Sequence, residues 1–120
     1  MVGKGGENRA ERTSPEAMPR RVIEQRKELG AVAQMVTRFV TEHGAVSRYS
    51  VTLLAWRSGR WTTVRVFDNA HGEHEMHRYT QDGSKQPGEP FHHGSASEAM
   101  SAARLWVMEG WEAMVEAWRR

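Results

Sequence analysis

Two runs of alternating side chains, residues 46–56 and 61–67, meet at Trp56-Arg57-Ser58-Gly59-Arg60-Trp61, and this junction restricts the fold more than any other part of the chain. A two-residue turn fixes the register of the strands it joins, so a Ser58-Gly59 turn pairs Arg57 with Arg60 and Trp56 with Trp61. In that register Tyr49, Val51, Leu53 and Ala55 share one face with Thr62, Val64 and Val66, an apolar set suited to a core. The other face collects Ser50, Thr52, Leu54, Trp56, Trp61, Thr63, Arg65 and Phe67 and is too apolar for plain exposure to water. The chain is therefore predicted to build an antiparallel sheet, with part of this second face covered.

The flanking segments extend the sheet. Residues 31–42 fit both helical and extended spacing, and the β-branched run Val36, Thr37, Val40, Thr41 together with a His43-Gly44 turn decides for a strand. Asn69-Ala70-His71-Gly72 turns the chain into a fourth strand over 73–80, closed by an Asp82-Gly83 turn, and residues 85–94, with Pro87 and Pro90, read as a connecting loop. Before the sheet, Pro19 as a first-turn residue and Gly30 as a left-handed cap bracket a short helix over 19–29.

After the sheet, Ser95-Ala96-Ser97-Glu98 has the spacing of a capping box, and a helix is predicted over 96–118. Met100, Ala103, Val107, Gly110, Trp111, Met114 and Trp118 form its apolar stripe, with Glu98, Glu109, Glu112 and Glu116 opposite. The expected architecture is α+β: a short N-terminal helix, an antiparallel β-meander of roughly four strands, and a long C-terminal amphipathic helix across one face.

Residues 1–18 are rich in Gly, Glu, Arg, Ser and Pro and have almost nothing to bury, so they are predicted to be a disordered tail before a single domain over 19–120. The absence of cysteine excludes disulfides and thiolate metal sites and points to a reducing compartment. No segment is apolar for long enough to span a bilayer, and the cytoplasm is the expected location. A net charge of +2 is too small to imply a dedicated DNA-binding domain.

Histidine is the enriched reactive type: His71, His74 and His77 recur at every third position, and His92 and His93 follow. Three readings stand open. The residues are ordinary polar loop and strand side chains; or His71, His77, His92 or His93 hold a metal, although the alternation of a strand sends His74 and His77 to opposite faces. In the third, imidazoles act as general acid and base on RNA, with a cation to stabilise developing charge. Arg65, Asp68, His71, His77, Arg78 and Tyr79 are the candidate catalytic set. No cofactor is implied, since there is no phosphate-cradling glycine loop and no GxSxG elbow.

The stretch WTTVRVFDNAHGEHEMHRY, Trp61 to Tyr79, resembles the R-Y-D-N-A-H-G hairpin motif of small bacterial proteins similar to the toxin half of the TumA–TumE toxin–antitoxin pair. The likeness rests on Asp68, Asn69, Ala70, His71, Gly72 and His77. It departs from the motif at Val66 and Phe67, where the motif has Arg and Tyr, with Arg65 one residue early. The resemblance implies a toxin-like protein of a toxin–antitoxin or mobile-element context, with an antitoxin as partner, and the histidine acid–base reading makes RNA its expected target. The rival expectation is a non-catalytic module that dimerises through Trp56, Trp61 and Phe67 or through Leu105 and Trp106, and a histidine-based metal-binding protein is third.

Overall fold

Residues 20–120 are described by the structure, a computed structural model; the tail predicted over 1–18 lies outside them. Six strands come first: β1 (Arg21–Leu29), β2 (Ala33–Glu42), β3 (Ala45–Arg57), β4 (Arg60–Asp68), β5 (His74–Arg78) and β6 (Glu89–His92). One helix, α1 (Ala96–Arg119), follows. The strands lie in the sheet in the order of the sequence, each antiparallel to the next, and the fold is α+β.

Two elements differ from the sequence expectation. The segment read as a helix over 19–29 is β1, paired with β2 from Arg21↔Thr41 to Leu29↔Ala33. As an edge strand it is exposed along nearly its whole length, so no alternation of apolar residues marked it, and pairing with β2 overrides the local helical pattern. Gly30 does adopt a left-handed conformation (φ 62°), but it opens the β1–β2 turn instead of capping a helix. The stretch 85–94, read as a loop, contains β6, the other edge of the sheet. Pro90 sits there without disturbing a central strand. The sheet thus has six strands where roughly four were expected.

The central hairpin has the predicted turn and end register. Ser58 and Gly59 both take positive φ, and Arg57 faces Arg60 and Trp56 faces Trp61. His43 and Gly44 likewise turn β2 into β3 with positive φ. Between Leu53 and Leu54, however, the register shifts: Leu54 pairs with Thr63 and Leu53 with Arg65, so Val64 is an extra residue in β4. A one-residue insertion reverses the facing of everything beyond it. Phe67 thereby pairs with Val51 and is buried to 1% exposure, while Val66, expected in the core, pairs with Thr52 on the other face. Arg65 is carried with Phe67 to the side that α1 covers.

α1 begins as expected. The Ser95 hydroxyl accepts from the Glu98 amide, and the Glu98 carboxylate accepts from the Ser95 amide. The helix buries Ala99, Ala103, Val107, Val115 and Trp118 on Met35, Val51, Leu53, Val64 and Phe67 of the sheet. Val115, read as off the stripe, is buried, while Gly110, Trp111 and Met114 lie at the margin of the contact. Arg104 reaches the sheet edge, donating to the buried Thr37 hydroxyl at 2.5 Å and to Gln25 Oε1 at 3.4 Å. The helix packs mainly on β3, β4 and β2; on β5 Met76 is buried beside Phe67, while Arg78 at the strand's end is exposed. Among the described residues no helix is long and apolar enough to cross a membrane.

On the far side of the sheet the chain between β5 and β6 folds back over β5. A Cβ at Gly88 would stand 2.8 Å from both the Glu75 carboxylate and the His77 ring. Gly88→Ala is expected to lower stability by about 1–3 kcal/mol in urea unfolding, because the ring has no free space to retreat into. The capping carboxylate gives an acid-sensitive element. Hydrogen bonds from the backbone, then the side chain, of Ser95 hold the Glu98 pKa below its ordinary value. Its contribution is complete above the unfolded glutamate value and is lost as pH falls through the lowered folded one. Amide protection in the first turn of α1, relative to the intrinsic exchange rate at each pH, is expected to fall in that acid range, and Glu98→Gln is expected to remove the pH step.

Candidate functional site: an arginine-lined cleft beside the C-terminal helix

The exposed end of β5 borders a cleft, and the bulge at Val64 determines which β4 side chain stands in it. Because β4 is bulged there, Arg65 lies on the helix side next to Arg78, its cross-strand neighbour on β5. The Val64 carbonyl accepts from the Tyr79 amide at 3.1 Å, which extends the β4–β5 pairing and places Tyr79 beside the two arginines. Trp118 and Arg120 approach from the end of α1, and Gln86 from the β5–β6 connection. These side chains enclose a cavity of about 300 Å3.

Two features of this cavity are electrostatic. Arg78 is paired with Glu89, but among the described residues no carboxylate forms an ion pair with Arg65. Burial, then repulsion from Arg78, lowers the Arg65 pKa, and Glu89 acts against the shift. The guanidinium stays charged through the physiological range, since an arginine side chain holds its proton far above it. Furthermore, only three buried side-chain nitrogens or oxygens among the described residues have no hydrogen-bond partner, and two of them are Arg65 Nε and Trp118 Nε1. Both are N–H donors, and both side chains line this one cavity. Each is sealed from solvent, and an unmatched buried donor costs about 1–3 kcal/mol.

The cleft continues in two directions. Past Tyr79 and Gln81 it joins a second concavity at the β3–β4 turn, lined by Arg57, Arg60 and Trp61, with Asp82 its one carboxylate. Asp82 is engaged locally, accepting from Thr80 and from the Ser84 amide. In the other direction Arg65 and Met114 also border an apolar cavity of about 330 Å3 beside Phe67, Phe91 and Trp106. Five of the chain's seventeen basic residues thus line one continuous surface at this end of the molecule.

Of the six candidate catalytic residues, Arg65, Arg78 and Tyr79 come together here. The other three do not. Asp68 and Asn69 build the turn after β4: Asp68 Oδ1 accepts from the Ala70 amide, and Asn69 bridges to Tyr49 and Ser47 of β3. His71 is exposed at the tip of that turn, beyond one end of β5. His77, near the other end of β5, is on the opposite face of the sheet from Arg65 and Arg78. It is buried to 6% exposure under the β5–β6 connection, with Nδ1 donating to the Gln86 carbonyl at 3.0 Å. Its Nε2 stands 3.4 Å from Glu75 Oε1 without a hydrogen bond.

The remaining histidines form a separate group. His74, on the helix side, donates from Nε2 to the Gly94 carbonyl at 2.8 Å and accepts at Nδ1 from the Tyr49 hydroxyl at 2.8 Å. This assigns the neutral Nε2–H tautomer, with both ring nitrogens occupied. Burial, then the Asp68 charge, raises the Tyr49 pKa and keeps the phenol a donor. His92 and His93 share a shallow cavity with His74. Among the described residues no three histidine, aspartate or glutamate side chains group as metal ligands.

The aromatic surface divides as well. Trp56 and Trp61 stand edge to face on the open side of the sheet with ring centroids 5.3 Å apart, and both are exposed. Phe67, expected beside them, is in the core because of the Val64 bulge. Leu105 and Trp106 remain half exposed on α1. Trp118 and Arg120 were not among the candidate residues: the helical stripe marked Trp118 as core, and periodicity says nothing of where an indole N–H ends.

Residues 18–120 match the family model described as a domain of unknown function, DUF7718, and the chain belongs to that family. No curated protein and no solved structure matches it.

Tyr49→Phe tests the internal histidine. It leaves His74 Nδ1 without a donor and is expected to cost about 1 kcal/mol in chemical denaturation.

Proposed function

We propose that this protein binds single-stranded RNA, taking the sugar–phosphate backbone along the arginine-lined surface that runs from the cleft beside α1 to the β3–β4 turn. The observation that carries the reading is the group of three guanidinium side chains, Arg65, Arg78 and Arg120, that line one cavity with Tyr79 and Trp118. The charge of a phosphate is matched there by guanidinium groups, which form bidentate bonds to phosphate. Tyr79 and Trp61 stand among the arginines, which is the pattern of aromatic faces along a basic track that single strands use.

A duplex offers a uniform outer wall of phosphates and no free base faces, and a cleft with aromatic side chains along it fits a flexible single strand better. The cysteine-free chain suits the reducing cytoplasm, where such strands are abundant. In this reading the protein contacts RNA without a histidine in the cleft, because His71, His77, His92 and His93 all line other parts of the surface or interior. The likeness to a toxin hairpin is then a likeness of the Asp68-to-Gly72 turn, which holds β4 to β5 and so sets the spacing of Arg65 and Arg78.

Fluorescence anisotropy with end-labelled oligouridylate tests the proposal. The affinity is expected to fall as salt rises, and Arg78→Ala, removing one phosphate contact, is expected to reduce the slope of log K against log salt by about 0.7. Arg65→Lys keeps the charge but removes Nε and the forked geometry, and is expected to weaken binding by roughly tenfold, in line with the 1.5–3 kcal/mol of a charged hydrogen bond. Binding unchanged in both variants would overturn the assignment.

A further inference from the structure

The apolar cavity on the other side of Arg65 adds a second kind of recognition. We propose that it is a nucleobase pocket, which takes one base of the strand whose phosphate lies at Arg65. The inference rests on the RNA reading above and extends it from the backbone to a base.

Four observations place a base there. First, Arg65 and Met114 border both cavities, so the phosphate position and the apolar space adjoin across these two side chains, as phosphate and base adjoin across a ribose. Second, the apolar cavity is bordered by rings already set at angles to one another. Phe67 meets Phe91 at 5.2 Å and 82°, and Phe91 meets Trp106 at 5.7 Å and 60°. Trp106 is 44% exposed, so part of its indole remains available to stack on a flat guest.

Third, Gly110 lines the pocket from the interior of a 24-residue helix. Glycine weakens a helix there, and an added Cβ would meet only Met114 Cε, at an ordinary 3.6 Å. Packing therefore does not require glycine at this position; what it provides is open space in the wall. Fourth, Glu109 stands at the rim. Its charge offsets that of Arg65 across the cavity, and a carboxylate at the rim accepts from an exocyclic amine of adenine or cytosine.

The bulge at Val64 and the extra residue Phe91 in β6 make the pocket between them. The first turns Phe67 and Arg65 to the helix side, and the second leaves Phe91 unpaired beside His74. Both rings would otherwise follow the regular alternation of their strands.

The test compares octaadenylate with an octamer of the same ribose–phosphate backbone carrying no bases, in the full chain and in Trp106→Ala and Gly110→Leu. The base-free strand is expected to bind wild type at least fivefold more weakly. Trp106→Ala and Gly110→Leu, the second by filling the pocket, are each expected to lose most of that difference while keeping the wild-type salt slope. Circular dichroism confirms that the variants are folded, and either one alone suffices for the comparison. Equal dependence on bases in wild type and both variants, with the salt slope intact, would overturn the pocket and leave the RNA reading standing. Absence of salt-dependent binding to either strand would overturn both.

Discussion

One additional residue in β4 governs the arrangement of everything that surrounds the cleft. Val64 has no partner of its own on β3, and beyond it the strand continues with its faces exchanged. Without that exchange Phe67 would stand on the open side of the sheet and Val66 in the core, leaving a smaller side chain under α1. Arg65 would also point away from the helix. The bulge therefore links a packing requirement, a large ring beneath the helix, to the placement of a charge where water is scarce. Its carbonyl also anchors Tyr79, so the strand that supplies Arg78 is aligned by the same irregularity.

The two polar groups near the ends of β5 show opposite solutions to burial. At one end Tyr49, His74 and Gly94 form a closed chain in which every donor has an acceptor. Such a chain ties β3, β5 and the segment before α1 together, and it has nothing left to offer a ligand. At the other end Arg65 Nε and Trp118 Nε1 are buried without a hydrogen-bond partner. The fold satisfies its polar groups nearly everywhere, which makes this exception informative.

Much of the architecture was legible in the sequence, and the misreadings have definite causes. The Ser58-Gly59 turn, the pairing of the two tryptophans and the capping box of α1 each follow from local chemistry with few alternatives. β1 was hidden because an edge strand exposed on both sides shows no two-residue alternation, and β6 because four residues with a proline do not differ from a loop by pattern. The bulge was hidden for a deeper reason. Alternation predicts facing only while the register holds, and no residue at Val64 announces that it does not. The three candidates that gather in the cleft, Arg65, Arg78 and Tyr79, were found as neighbours of a motif, whereas Trp118 and Arg120 belong to it only through the way α1 crosses the sheet.

Strand order and chain order coincide in this sheet, and the element that covers it comes last. Each hairpin can close as soon as its two strands are available, because every pairing is between neighbours in sequence. The helix side of β2, β3 and β4, with Met35, Val51, Leu53 and Phe67, then waits for a segment synthesised after all six strands. During that interval the nascent sheet presents its whole apolar face to the surrounding solution, a state in which association with other chains competes with completion. The twenty-four residues of α1 therefore shield that face once they are made, and the cleft exists only after they have docked.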